Sequence, residues 1–276
     1  MTVHKIGEYS YHIDGKLITQ LDFVKRCLKD NWDMLFIICS GGKPGPGKTT
    51  LGTQLCSYID PVFSINECVF SAKDLIKKGL NMNRKPFSIQ YDEAKESLNK
   101  KRQMTEQFHN IEMFFDECRQ FNPFMVLCTP NLFDLPKPLV VNRASAVIDV
   151  YYNKDPKTNR RVRGMYRFFG DRSSKHLYLK GVKNENYYAA TPDFTGRFTN
   201  TMTIPRQEYN TKKLEAARSR FAKQDDPEKR HFVKLIRLIS NLKHNEGLSA
   251  ESIGAYAGIT PRYVRMLLKK YEDMQK

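Results

Sequence analysis

The sequence predicts an α/β fold: a mostly parallel sheet flanked by helices, with an antiparallel extension and a small all-α module at the carboxyl end. Three observations carry that expectation. The run Met34–Cys39 is apolar at every position and breaks off at Ser40-Gly41-Gly42, as a strand buried on both faces of a parallel sheet does. Short apolar runs then alternate with helical patterns up to about residue 152, the rhythm of successive βα units. Beyond residue 226 the periodicity is helical only.

The elements follow in order. Residues 9–17 alternate around Asp14-Gly15, a turn pair that suits a small hairpin, and a short amphipathic helix is expected over about residues 20–28. After the strand at 34–39 come a helix over 49–58, a short strand over 67–70, a helix to residue 78 with Ser71 as N-cap, and a strand over 87–91. A long helical stretch over 94–121 leads to the apolar strand Phe124–Cys128, and residues 146–152 form another. Residues 164–170 and 176–179 read as two further strands joined by a basic turn, the antiparallel extension. The polar segment 184–226 is expected to be a connecting arm with one helix, ending at Asp225-Asp226-Pro227. The expected domains are therefore 1–183, the arm 184–226 and a module 227–276.

With 276 residues and 40% hydrophobic content, the chain can bury a sizeable core. Its net charge of +16 favours a polyanionic partner, because fixed positive charge releases counterions when it meets phosphate. Residues 154–183 hold ten basic residues against two acidic ones, a surplus of eight, so half the net charge lies in one stretch. The six cysteines (Cys27, Cys39, Cys56, Cys68, Cys118, Cys128) stand singly, with no CxxC pair and no histidine at metal-ligand spacing. They read as reduced core thiols of a cytoplasmic protein and argue against a zinc site. The longest apolar run, Met34–Cys39, is far too short to span a bilayer, and the N-terminus shows no leader pattern, so no membrane association is expected.

The chemistry begins where the first apolar strand ends. Gly42, Lys43, Pro44, Gly45, Pro46, Gly47, Lys48 and Thr49 satisfy GxxxxGK[ST] between a predicted strand and a predicted helix, the context that this motif requires. The glycines allow backbone amides to turn inward around a phosphate, Lys48 sets a point charge on the β and γ oxygens, and Thr49 offers a hydroxyl to Mg²⁺. Thr50 continues into the helix, whose free N-terminal amides add to the anion site. The expected ligands are ATP and Mg²⁺. Asp92 and Glu93 close the strand at 87–91: Asp92 is expected to hold Mg²⁺ through water and Glu93 to polarise the attacking water. Ser88 and Gln90 interrupt that strand, which points either to a less deeply buried face or to a nearby sheet edge.

These motifs resemble the additional-strand, catalytic-glutamate division of P-loop ATPases, which includes AAA+, RecA-like and FtsK/HerA-like motors. The resemblance covers roughly residues 30–155. It implies an extra strand between the strands of the glycine loop and of the carboxylates, ending in a polar sensor. Phe124–Cys128 fits that strand, with Asn131 as the sensor candidate and Thr129 as second choice; the other reading of Asn131 is a helix cap or turn residue. Arg143 stands where AAA+ proteins often carry an arginine finger for a neighbouring subunit, the alternative being a surface arginine in a polar turn. A finger would require a homo-oligomer, a ring being one form. Strands are expected where AAA+ proteins have a helical lid, which favours the RecA or FtsK/HerA side.

Residues 228–244 carry a helical apolar stripe at Phe232, Leu235, Ile236, Ile239 and Leu242. Two short helices then follow, one capped by Ser249, the other by Thr260 with Pro261 at its first position, and Gly258 lies at the reversal between them. This spacing resembles a DNA-binding helix-turn-helix; a three-helix docking module is the other reading. Arg262, Tyr263, Arg265 and Lys269 are the DNA candidates on the second helix, joined by Arg160, Arg161 and Arg163 in the basic stretch. The expected activity is a Mg-dependent ATPase acting on DNA, expected to be double-stranded, of motor, packaging, helicase or loading type. The small size, charge and fused module resemble ATPases of viruses and mobile elements. The alternative is an ATP-switched, sequence-specific DNA-binding regulator with slow turnover.

Overall fold

A seven-stranded sheet organises the first part of the chain. In order along the sequence its strands are β3 (Met34–Cys39), β4 (Cys68–Val69), β5 (Ser88–Tyr91), β6 (Phe124–Cys128), β7 (Ala146–Lys154), β8 (Arg161–Gly170) and β9 (Phe194–Arg197); β1 (Val3–Ile6) and β2 (Tyr9–His12) form a separate antiparallel pair. The computed structural model describes residues 3–6, 9–82, 84–102, 105–224 and 227–275. It divides into two units, Met1–Lys213 and Leu214–Lys276.

The spatial order is β4-β5-β6-β3-β7-β8-β9, with parallel pairing from β4 through to β7 and antiparallel pairing beyond. The central strands are apolar throughout because both faces are covered: every residue of β6 is buried, as are Leu35–Cys39 of β3 in all five positions. Ile37 stands in register with Leu127 on one side and Val147 on the other, and Phe36 meets Phe124 edge-on at 5.2 Å. Each such side chain contributes about 1.5–3 kcal/mol when it leaves water. Ser88 and Gln90 are fully buried, so they do not mark an exposed face; β5 is one strand from the sheet edge at β4.

Helices α1 (Gly15–Lys29), α2 (Lys48–Ile59), α3 (Ala72–Leu80), α4 (Lys95–Leu98), α5 (Glu106–Glu117) and α6 (Asp171–Gly181) accompany the sheet. Several expectations are corrected here. Asp14-Gly15 is not a hairpin turn: the Asp14 side chain accepts the Lys16 amide at 3.0 Å and caps α1. The helical stretch 94–121 is broken into α4, a 3₁₀ turn and α5, which Thr105 restarts by accepting the Phe108 amide at 3.3 Å; residues 103 and 104 lie outside the described residues. Residues 176–179 belong to helix α6, because Leu177 and Tyr178 are buried together on one helical face, and the antiparallel extension is made by β8 and β9.

Residues 184–213, part of the segment 184–226 expected as a connecting arm with one helix, belong to the first unit. Gln54 on α2 donates to the carbonyls of Thr199 and Thr201, both at 2.7 Å, and Ser57 bonds Thr203 at 2.6 Å. The arm's helix, α7 (Arg206–Gln224), starts in the first unit. The predicted boundary residues Asp225 and Asp226 lie outside the described residues.

The second unit holds α8 (Pro227–His244), α9 (Ala250–Ala257) and α10 (Pro261–Gln275) around Ile236, Ile239, Ile253, Val264 and Leu267. Ser249 caps α9, and Gly258 takes the left-handed conformation at the reversal. A Cβ on Gly254 would stand 2.7 Å from the Ile259 carbonyl, so only glycine admits this close turn. No helix among the described residues is long and apolar enough to cross a membrane.

Candidate nucleotide-binding site

The glycine loop leaves the carboxyl end of β3 and enters α2. Gly41, Gly42, Gly45 and Gly47 all have positive φ, and Gly47 is the left-handed N-cap of α2, so the loop needs residues without a Cβ to curl as it does. The Pro130 carbonyl, just past β6, accepts the amides of Ser40 at 3.2 Å and Gly42 at 2.8 Å and pins the start of the loop to the neighbouring strand. Lys48 projects from the first turn of α2 and donates to the Ser40 hydroxyl at 2.9 Å. A cleft of about 610 Å³ opens here; loop residues 42–47, Lys48, Thr49 and Thr50, Asp92 and Glu93 all line it.

The sheet order explains how the carboxylates arrive. β6 separates β3 from β5, so the ends of β3 and β5 flank a gap in which Thr49 and Asp92 face each other, Thr49 Oγ1 donating to Asp92 Oδ2 at 3.4 Å. Asp92 is buried, whereas the Glu93 side chain is about one-third exposed (36%) and looks into the cleft. Glu93 has φ of 60°, a conformation uncommon for a residue with a Cβ, and the backbone on either side is fixed by Asp92 N–H to the Val69 carbonyl and Ala94 N–H to the Cys128 carbonyl, both at 3.0 Å. Gln90 reaches back from β5 to the Thr49 carbonyl at 3.4 Å and packs against Gly52 of α2. That contact accounts for a polar residue in this strand.

One hydroxyl and two carboxylates are hard oxygen donors that suit Mg²⁺, an ion that keeps waters and shares its coordination with phosphate rather than needing a full protein cage. No group of three or more His, Cys, Asp or Glu that could hold a metal by itself occurs among the described residues. Thr49 and Asp92 would hold the ion, and the amide-lined loop with Lys48 would hold the phosphates.

Two residues expected in this machinery are used elsewhere. Asn131 does not line the cleft: its Oδ1 accepts the Phe133 amide at 3.3 Å and the Tyr187 hydroxyl at 2.8 Å, and its Nδ2 donates to Glu185 at 3.0 Å. It is the N-cap of a 3₁₀ turn, with its oxygen and one amide proton bonded within the fold. Thr129, the second choice, is buried and donates to the Asn131 carbonyl. Arg143 lies before β7, at the opposite end of the sheet from the loop, where its guanidinium bonds Asp33 at 2.7 Å and also the Phe115 carbonyl. One terminal nitrogen makes these contacts, so in this structure the guanidinium sits in an internal ion pair rather than reaching outward as a finger.

Other residues enter instead. Arg163, assigned to DNA from the sequence, has its guanidinium 3.6 Å from the Cβ position of Gly45 and lines the cleft beside the glycine loop. Arg206, Tyr209, Asn210 and Lys213 on α7 line it too. Their spacing is i, i+3, i+4, i+7, one helix face, and that pattern inside a polar arm was the available signal for them. The Tyr209 hydroxyl donates to Asp92, and Lys213 bridges Asp92 at 2.9 Å and Glu93 at 2.8 Å. Burial alone would lower the Lys213 pKa, yet the two carboxylates outweigh it and hold the ammonium above the ordinary lysine range.

Of the remaining DNA candidates, Arg160 and Arg161 are exposed on the β7–β8 hairpin, where Arg161 lies over the Tyr152 ring at 4.8 Å. Arg262, Tyr263, Arg265 and Lys269 are exposed on α10, Arg265 paired with Glu251.

No protein-family model and no curated protein matches this sequence. Among solved structures, the chain is similar to the N-terminal domain of zonular occludens toxin from Neisseria meningitidis, with 15% identity and a TM-score of 0.36 over 65% of this chain and 98% of that one. It is also similar to the genome packaging NTPase B204 of Sulfolobus turreted icosahedral virus 2, in complex with AMPPCP (14% identity, TM-score 0.32, 52% of this chain and 95% of that one) and with ATP-gammaS (13%, 0.26, 58% and 87%). The strand order, with β6 inserted between the strand of the glycine loop and the strand of the carboxylates, is by itself the arrangement of an additional-strand P-loop fold.

Proposed function

We propose that this protein is a Mg-dependent ATPase acting on DNA. The observation that carries the reading is the convergence, in one cleft, of a left-handed glycine loop, Lys48, Thr49 and the Asp92-Glu93 pair. The loop amides and the α2 N-terminus bind the phosphates, Lys48 and Arg163 neutralise the terminal oxygens, and Thr49 and Asp92 orient the metal. Magnesium, when bound, supplies the charge that polarises the terminal phosphoryl group. Glu93 orients the attacking water and takes its proton.

DNA as partner is supported by the net charge of +16 and by two exposed basic surfaces. One is the β7–β8 hairpin, beside a cleft where Lys43 and Arg161 lie over Tyr152, and Arg167 lies over Tyr188 at 4.4 Å. The other is α10, the second helix of a helix-turn-helix in this reading. Assembly into a homo-oligomer, a ring being one form, belongs to the same proposal, without Arg143 as its finger.

The test is ATP hydrolysis by the full chain with magnesium, without DNA and with single- or double-stranded DNA. Stimulation by DNA, reduced in Arg262→Ala, is the expected result. Nucleotide binding without hydrolysis under any of these conditions, together with tight binding to one DNA sequence, would instead favour an ATP-switched regulator, a reading that the Lys213 contacts with both carboxylates also support.

A further inference from the structure

One face of α7 forms a wall of the nucleotide cleft, and Lys213 reaches deepest from it. Its ammonium stands 2.9 Å from Asp92 Oδ2 and 2.8 Å from Glu93 Oε1. The same Asp92 oxygen receives the Tyr209 hydroxyl and faces the Thr49 hydroxyl, so it is the oxygen nearest the expected metal seat. The position is built rather than adventitious. Lys212, the preceding residue, donates to the carbonyls of Ile65 and Cys68, both at 2.8 Å, and the Tyr209 ring lies against Phe70 at 5.4 Å, so two anchors hold this stretch of helix against the β4 end of the sheet.

An ammonium at hydrogen-bond distance from both carboxylates and a divalent ion served by the same carboxylates compete for one place and one pair of charges. Water-mediated coordination through Asp92 Oδ2 meets the same conflict, because Lys213 and Tyr209 already donate to that oxygen. Glu93 is affected too: while Oε1 accepts from Lys213, that oxygen is not open to a proton from water.

We propose that Lys213 is a positioning residue that acts as an internal counter-ion of the metal seat, and that magnesium–nucleotide binding requires its ammonium to leave Asp92 and Glu93. The inference rests on the ATP reading above and adds to it a control point: α7 is held against the site until the metal–nucleotide pair displaces it. Release frees Glu93 for its role and loosens the first turns of α7.

The test uses the full chain and a non-hydrolysable ATP analogue. Calorimetry across a magnesium series compares wild type with Lys213→Met, which keeps the aliphatic stem and loses the charge. The half-saturating magnesium concentration should fall by about fivefold or more in the variant, the lower range of typical coupling between sites, while analogue affinity in EDTA does not improve. In wild type, amide exchange over residues 206–213 should rise with magnesium and analogue together and not with analogue alone. An unchanged or higher magnesium requirement in a folded Lys213→Met overturns the proposal, and so does unchanged exchange over 206–213 in wild type, a measurement that needs no variant. If wild type binds no analogue at any magnesium concentration, the ATP reading itself fails and this inference falls with it; binding with equal magnesium dependence sinks the inference alone.

Discussion

The Lys48 ammonium donates to the Ser40 hydroxyl at 2.9 Å, across the two ends of the glycine loop. Ser40 in turn donates to the Lys43 carbonyl at 2.8 Å, so one short chain of bonds ties the lysine to the loop that it serves. The ammonium is thereby held close to its working place, with little rotamer freedom left to lose when phosphate arrives. Lys48→Ala should weaken ATP binding by roughly 10- to 100-fold, the worth of a hydrogen bond to a charged group. Ser40→Ala should cost much less, because it leaves the charge in place and frees only its orientation. Calorimetry with magnesium and ATP measures both, and equal losses would show that Ser40 is part of the phosphate site itself.

Glu93 sits in the left-handed region at a strand end, its side chain open to the cleft. Glu93→Gln keeps the shape and removes the carboxylate proposed as the base. Turnover should fall by about 10²–10⁴ while ATP affinity is retained, the ratio expected when a general base is lost. A Glu93→Gln protein that hydrolyses ATP at the wild-type rate would transfer the role to another group.

Arg143 and Asp33 make a different kind of statement. Their 2.7 Å contact closes the end of the sheet away from the loop, with Asp33 nearly buried and Arg143 about one-quarter exposed (27%). Removing the cation leaves a carboxylate with little access to water. Arg143→Met should lower folding stability by about 2 kcal/mol, below the full cost of a broken buried pair because of the partial exposure. Urea denaturation reads this, and ATP hydrolysis per folded molecule should not change. Loss of hydrolysis without loss of stability would restore a direct role for Arg143.

How far the sequence discloses this molecule depends on whether the governing forces are local. Met34–Cys39 and Phe124–Cys128 are legible because double-sided burial leaves no place for a polar residue, and the glycine loop is legible because backbone curvature excludes side chains. Asp92 and Glu93 follow from their place at a strand end. The contacts of Asn131 and Arg143 are not legible because their partners are remote in sequence: Tyr187 and Glu185 meet one, Asp33 the other. Residues 176–179 alternate like a strand, yet they turn helical because Leu177 and Tyr178 find a buried helical face. Lys213 and Tyr209 lie some 120 residues from Asp92 (separations of 121 and 117), in a segment whose polarity suggested a linker. Only the helical spacing of Arg206, Tyr209, Asn210 and Lys213 hints that one face of it is used.

The buried thiols set an alkaline limit on the fold. Cys39, Cys56 and Cys128 are fully inaccessible, and burial pushes each thiol well above its ordinary value of 9.0. Below that pH both folded and unfolded chains keep these protons, so the thiols leave stability unaffected by pH. Above it the unfolded chain releases them and the folded chain does not, so the unfolded state binds fewer protons and stability falls as pH rises. Each thiol contributes a slope of up to about 1.4 kcal/mol per pH unit, and the three together about 4 kcal/mol per unit. Buried tyrosines such as Tyr187, raised by burial from 10.0, add to the slope only at still higher pH. Urea midpoints in reducing buffer between about pH 8 and pH 10 should show the onset near 9, and a Cys39→Ala, Cys56→Ala, Cys128→Ala protein should lose the share of these three thiols, while Cys68 and Cys118, also buried and raised, keep theirs and the cavities lower the midpoint at every pH. A slope undiminished in the triple variant would assign the alkaline limit to other groups.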